Sequence, residues 1–424
     1  MQKGDAIYQK YLTCLEKELV PAFGCTEPAA VAYASALASE TLGEIPNRID
    51  LCCSGNIIKN VKSVIVPNSG GLKGLEVAAA AGILAKGHSD DKLEVLSRLP
   101  ENNKEAIEKL LGRVEICLHV SDSPCPFDIH VLAEGNSGTA ETRILGTHTN
   151  VVLIKKGNTV LFGKEITASD ENILEEVPLT VKDILAFAEC VCIEDVREIL
   201  DRQISCNTAI SEEGLRNDYG ANIGSVLLSM SDTVDTRLKA CAAAGSDARM
   251  SGCEMPVVIN SGSGNQGITV SVPVIEYARL KGFGREELYR ALVVSNLLAI
   301  YQRAGIGCLS AYCGAINAGV AAVCGVAFLD GGRLDTIAHI LSNGLAISSG
   351  IICDGAKPSC ASKIAMGIES GWMGYEMYRH DQQFYNGEGI VKNSVDATIA
   401  AVARLGRYGM RETDREILKI MINE

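Results

Sequence analysis

Apolar residues recur every four positions near the start of the chain, at Ile7, Tyr11, Leu15 and Leu19, which marks one buried face of a helix. Pro21 ends that helix, because proline has no amide hydrogen to continue it. An alanine-rich helix is expected from just after Cys25 to about residue 42. Between about 47 and 165 the period changes. Short β-branched runs over 61–66, 114–120, 128–132, 142–145, 151–155 and 159–162 predict strands, and helical stretches near 72–86 and 90–111 interrupt them. From about residue 180, helix follows helix almost to the end. The pattern predicts an α+β protein. A mostly helical domain, residues 1–45 and 180–424, carries an inserted mixed α/β module at 46–179, with a boundary near Pro178.

Composition narrows the function classes. Of 424 residues, 47% are hydrophobic and 21% charged, which fits a globular chain with a large core. A net charge of −13 and the lack of any Lys/Arg block argue against nucleic acid or an acidic membrane surface as partner. Residues 304–329 are uncharged, and 336–353 carry only His339. Runs of that length raise the membrane reading. Their glycine, alanine and asparagine content, the single Trp372 and the absence of a Lys/Arg side preference instead predict buried helices. The first residues form no export signal, so a cytoplasmic location is expected. There the 16 cysteines stay reduced, and most are expected to be small buried hydrophobes.

Three cysteines stand apart by context. Cys313 opens a Gly/Ala-rich helix; 39 residues separate it from Cys353, and six separate Cys353 from Cys360. The segment Cys353-Asp-Gly-Ala-Lys-Pro-Ser-Cys360 reads as a turn, since it holds Asp-Gly and a proline. A thiol at each end of a turn, facing a third at a helix start, could hold a metal or cluster; incidental core cysteines are the alternative that spacing leaves open. Three thiolates on a four-iron cube would leave one iron open to substrate. Lys357 and Lys363 lie close enough in sequence to moderate the negative charge.

Other residues supply polar chemistry. Cys25 precedes Thr26-Glu27-Pro28 and a helix, so the helix dipole is expected to favour its thiolate, as a base requires. The loop Ser261-Gly262-Ser263-Gly264-Asn265-Gln266-Gly267 matches a dinucleotide fingerprint formally, but no βαβ unit surrounds it. Its backbone N–H groups and side chains suit a carboxylate or phosphate. Ser54 and Asn56, in a turn of the mixed module, are further candidates for a polar cleft, and Lys357 is a weaker carboxylate partner. The six histidines form no metal-binding pattern.

Taken in order, Phe23-Gly24-Cys25-Thr26-Glu27-Pro28, the Ser261–Gly267 loop, Cys313-Gly-Ala and Cys353–Cys360 resemble the L-cysteine desulfidase family over nearly the whole chain. That family is related to the α-chain of iron–sulfur L-serine dehydratases. The resemblance implies a [4Fe–4S] cluster on Cys313, Cys353 and Cys360, and a part for Cys25 in catalysis. It implies β-elimination of L-cysteine to pyruvate, ammonia and sulfide without pyridoxal phosphate, the open iron binding the substrate thiolate. The helical domain would then be the catalytic one, acting on a small amino acid, with homo-oligomerisation left open. An iron–sulfur L-serine dehydratase is the nearest alternative. A pyridoxal-phosphate lyase, with the glycine-rich loop as phosphate cup, lacks a persuasive lysine, and a membrane transporter built on residues 288–353 is the reading from another class.

Overall fold

A computed structural model describes residues 1–99, 103–123, 125–164, 179–307 and 309–422. The chain opens with α1 (Ala6–Glu18), β1 (Pro21–Phe23), α2 (Thr26–Leu42), β2 (Arg48–Cys53), α3 (Gly55–Val61) and α4 (Leu75–Leu84). A 3-10 stretch (Ser89–Arg98) and α5 (Asn103–Leu111) lead into β3 (Glu115–Val120), β4 (Asp128–Gly135), β5 (Gly138–Leu145), β6 (Val151–Lys156) and β7 (Thr159–Gly163). Helices α6 (Val181–Cys190), α7 (Ile193–Arg216), α8 (Ile223–Met230) and α9 (Val234–Met250) follow. After β8 (Pro256–Val258) come α10 (Gly264–Lys281), α11 (Arg285–Ala304), α12 (Gly314–Leu329) and α13 (Leu334–Ser348). The chain closes with α14 (Cys360–Arg379), α15 (Val395–Arg404), a π turn and α16 (Arg411–Ile422).

The α+β class expected from the sequence is what the structure shows. Six strands form one sheet in the order β3-β2-β4-β5-β6-β7, with β2 and β3 parallel and the other neighbours antiparallel. Its strands β3 to β7 lie where the β-branched runs predict them. The run at 61–66 does not form a strand: Val61 ends α3, and Ile65 makes one isolated bridge to Lys73. The strand that pattern reading misses is β2, whose Arg48-Ile-Asp-Leu-Cys-Cys53 alternates buried and half-buried positions between β3 and β4. The helix expected over 90–111 is broken, since Lys92 takes a positive φ of 51° inside the 3-10 stretch.

Two apolar cores result. One gathers α1, α6, α7 and α9 to α15. The other packs α2, α3 and α4 against the sheet through residues such as Ala30, Ile49, Ile57, Ala80 and Val131. The expected division groups α2 with the helical domain, whereas the buried neighbours of α2 belong to the sheet; the boundary at Pro178 lies outside the described residues. A short antiparallel pair, β1 with β8, ties the start of α2 to the start of α10.

The uncharged runs become α12 and α13, helices of 16 and 15 residues. At 1.5 Å per residue α12 is about 24 Å long, short of the roughly 30 Å hydrocarbon core of a bilayer. No helix among the described residues is long and apolar enough to cross a membrane, and the transporter reading therefore loses its structural basis. Their small residues serve packing instead. A Cβ added at Gly319 of α12 would lie 2.4 Å from the carbonyl carbon of Gly367 in α14, and one at Gly371 would lie 3.0 Å from Val320 Cα. The two backbones thus touch, which fixes the separation of the residues at their N-terminal ends. Replacing Gly367 with valine is expected to destabilise the protein by at least about 1–3 kcal/mol, the usual cost of overpacking, seen as a lowered thermal midpoint.

Candidate active site

The N-terminal ends of α12 and α14 carry Cys313, as N-cap, and Cys360, as first residue. Cys353 is brought beside Cys313 by backbone pairing: the Cys353 amide donates to Ala311 O at 2.6 Å, and the Cys313 amide donates to Ile351 O at 3.2 Å. Cys360 is therefore the start of a helix and not the end of a free turn. Its amide donates to Lys357 O at 2.9 Å. Lys357 and Lys363 both pair with Asp354, and Lys363 Nζ also donates to Ile352 O at 2.8 Å. Although burial pushes the Asp354 carboxyl up, these two ammonium groups hold it at about 2.

All three thiols line one cavity of about 100 Å³. Burial, reinforced by Cys353 and Cys360, pushes the Cys313 thiol up to about 12, and burial raises Cys360 as well. Three thiolates in this space repel each other unless a cationic group joins them, which is the donor chemistry an iron–sulfur cube requires. No group of three or more His, Cys, Asp or Glu side chains among the described residues is arranged to hold a metal ion. Three thiols on one cavity are the donor set of a cube that takes one thiolate per iron.

The opposite wall is the glycine-rich loop. Ser261 and Gly262 take positive φ values of 50° and 76°, and the rest of the loop is the first turn of α10, capped by Ser263 Oγ accepting from the Gln266 amide. Ser261, Ser263, Asn265 and Gln266 line the cavity. Gly264 does not; its missing side chain makes room for Arg249, since a Cβ there would lie 2.3 Å from Arg249 Nε. Arg249 lies in the last turn of α9, is 4% exposed, and donates from Nη1 to Asn265 Oδ1 at 3.2 Å. Its Nε has no hydrogen-bond partner, and no carboxylate pairs with it among the described residues. A buried guanidinium without a counter-ion beside a helix N-terminus is a site for a carboxylate.

Cys25 is the N-cap of α2 and faces the same cavity. The effect of the helix start is outweighed there. Burial, then the Glu27 carboxylate, push the Cys25 thiol well above its usual range, and Sγ donates to Glu27 Oε2 at 3.4 Å. The expectation of a ready thiolate is thus corrected: burial and Glu27 both disfavour the Cys25 thiolate. Glu27 Oε2 also accepts from Thr26 Oγ1 at 3.0 Å, and Oε1 accepts from Asn60 Nδ2 at 3.2 Å.

Asn56 reaches the cavity with Oδ1 unpartnered, but Ser54 does not. Ser54 Oγ donates to Pro126 O at 2.7 Å and stays in the sheet module. Lys357 is likewise occupied outside the cavity, donating to the Asp354 and Gly355 carbonyls. Sequence reasoning missed Glu27, Lys59, Asn60, His148, Arg249 and Tyr312, all of which line the cavity. One signal was present: Asn56, Lys59 and Asn60 are spaced i, i+3, i+4 and so share one face of α3. Lys59 is 1% exposed and pairs with Asp414 of α16 at 2.5 Å, which ties the C-terminal helix to this wall. His148 and Arg249 carried no such signal.

Residues 90–419 match the family model described as serine dehydratase alpha chain. Among similar proteins, a UPF0597 protein of Desulfitobacterium hafniense is 50% identical over 426 residues, covering 100% of this chain and 99% of its own. One from Lachnoclostridium phytofermentans is 46% identical, over 98% of this chain and 100% of its own. Another, from Bacteroides fragilis, is 38% identical over 98% of each. The chain belongs to the serine dehydratase alpha chain family.

The burial of Cys25 gives a direct check. At pH 7.5, alkylation of Cys25 by iodoacetamide is expected to run at least about tenfold slower than that of the exposed Cys190, as read by mass spectrometry of the labelled peptides.

Proposed function

We propose that this protein is an iron–sulfur carbon–sulfur lyase that converts L-cysteine to pyruvate, ammonia and sulfide. The observation that carries the reading is the meeting of three thiols and an uncompensated arginine in one small cavity. Cys313, Cys353 and Cys360 would hold a [4Fe–4S] cube, which when bound supplies a Lewis-acidic iron with affinity for sulfur.

The chain's own residues then do the following. Arg249, with the amides at the start of α10 and the Ser261, Ser263, Asn265 and Gln266 side chains, binds the α-carboxylate. Asn56 offers a free acceptor toward the α-ammonium group. The protonated Cys25 thiol, already hydrogen-bonded to Glu27, is the proton donor toward the departing sulfur. Loss of the Cα proton and of sulfide leaves 2-aminoacrylate, which hydrolyses in water. A second reading, L-serine dehydratase, is favoured by the description of the matching family, and it uses the same carboxylate site.

Anaerobic purification tests the proposal. About four iron and four acid-labile sulfide per chain are expected, falling sharply in Cys353→Ser, together with sulfide release from L-cysteine that exceeds pyruvate formation from L-serine. Active protein without iron sinks the reading; pyruvate from serine with little sulfide from cysteine selects the dehydratase. Arg249→Met is expected to raise KM for L-cysteine by about 10- to 100-fold with iron content unchanged, as loss of a charge-assisted hydrogen bond worth about 1.5–3 kcal/mol implies.

A further inference from the structure

We propose that His148 is the catalytic base that takes the Cα proton of the amino-acid substrate, an assignment that rests on the lyase reading above. His148 lies in the turn between β5 and β6, far in sequence from every cysteine of the cavity. The turn is firmly held: the Gly146 amide donates to Phe127 O at 2.9 Å, and Asn150 Nδ2 donates to Leu145 O at 2.8 Å. Its ring meets the Phe127 ring edge-on, with centroids 4.7 Å apart. From there the imidazole reaches over the Ser261–Gly262 turn, so that a Cβ on Gly262 would lie 3.3 Å from His148 Cε1. The residue as a whole is half-buried, but Nε2 is sealed from solvent and has no hydrogen-bond partner.

Elimination among the groups of the cavity points to this atom. With the carboxylate on Arg249 and the sulfur toward the three thiols, Cα is left between those walls, beside His148, Cys25 and Glu27. The Cys25 thiol carries its own proton. Both Glu27 oxygens already accept hydrogen bonds, from Asn60, Thr26 and Cys25. Lys59 is engaged by Asp414. His148 Nε2, with the ring proton on Nδ1, offers a lone pair that nothing else uses.

The electrostatics fit a base that is switched on by substrate. Burial keeps the imidazole neutral; of the charged groups facing it, Arg249 of α9 opposes protonation and Glu27 of α2 favours it. A carboxylate on Arg249 cancels the opposing charge and leaves Glu27 to stabilise the imidazolium. In the step itself the proton moves from Cα to Nε2, and the C–H electron pair becomes the Cα–Cβ π bond. The Cβ–S bond breaks with its pair going to the sulfur of the substrate thiolate, which takes the Cys25 proton and leaves as hydrosulfide, and the imidazolium proton then restores the Cys25 thiol.

The test uses the cluster-loaded enzyme under anaerobic conditions with L-cysteine. His148→Gln is expected to lower kcat by roughly 10²- to 10⁴-fold with KM nearly unchanged, while iron content and visible absorption stay at wild-type values. Deuterium at Cα should slow the variant more than the wild type, because proton transfer becomes limiting. In His148→Ala, added imidazole should restore turnover. Should His148→Gln fail to fold, His148→Asn and the imidazole rescue carry the same comparison. Turnover of His148→Gln within about tenfold of wild type overturns the assignment, as does a loss with neither an enlarged isotope effect nor rescue. In both cases wild-type lyase activity would persist, whereas wild-type enzyme with full iron and no elimination activity overturns the lyase reading and this assignment together.

Discussion

The site depends on how closely α12 and α14 approach. Gly319 and Gly367 leave no side chain between the two helices, so their axes cross with backbone touching backbone. Each helix begins with a cysteine of the trio, and the separation of the helices is therefore the separation of those two thiols. The third, Cys353, is set by strand-like pairing of residues 351–353 with 311–313. Lys357, Lys363 and Asp354 then clamp the intervening turn from the outside. Three separate packing devices thus converge on one small volume, and the surrounding core supplies the energy that would hold three thiolates there against their mutual repulsion.

That volume lies where two differently built parts of the chain meet. The helical core supplies the cysteines, Arg249 and the first turn of α10, while α2, α3 and the β5–β6 turn supply Cys25, Glu27, Asn56, Asn60 and His148. The β1–β8 pair joins the parts, and the Lys59–Asp414 ion pair ties α16 to the wall made by α3. Charge is divided accordingly. Lys59 has its carboxylate, and Arg249 has none among the described residues. A buried charge without a partner is costly, so a protein that keeps one in a cavity gains by binding an anion there.

Burial also reverses an inference that local reasoning supports. A cysteine before a helix is expected to ionise readily, and Cys25 does stand at the N-cap of α2. Desolvation and the neighbouring Glu27 carboxylate act against the thiolate with more force than the helix dipole acts for it. The same desolvation acts in the opposite sense on an imidazole, keeping His148 neutral and thus able to accept a proton. One environment therefore separates a proton donor from a proton acceptor within a single cavity.

Much of the framework was legible in the residues themselves. Local periodicity determined α1 and α2 and the strands β3 to β7, because each covers one face of a core and its pattern repeats within a few residues. Local chemistry marked the three cysteines and the Ser261–Gly267 loop, because glycine, proline and thiol content restrict what those segments can do. Tertiary structure alone decided the rest. Strand β2 is made by pairing with neighbours more than sixty residues away, and Ser54 is drawn out of the site by the Pro126 carbonyl that the fold brings to it. Arg249 and His148 lie about a hundred residues apart on unrelated elements, and only the closing of the two cores gives them a common cavity and a charge balance. Spacing along a chain cannot encode which groups remain unpaired after folding, because every possible partner is supplied by the whole molecule.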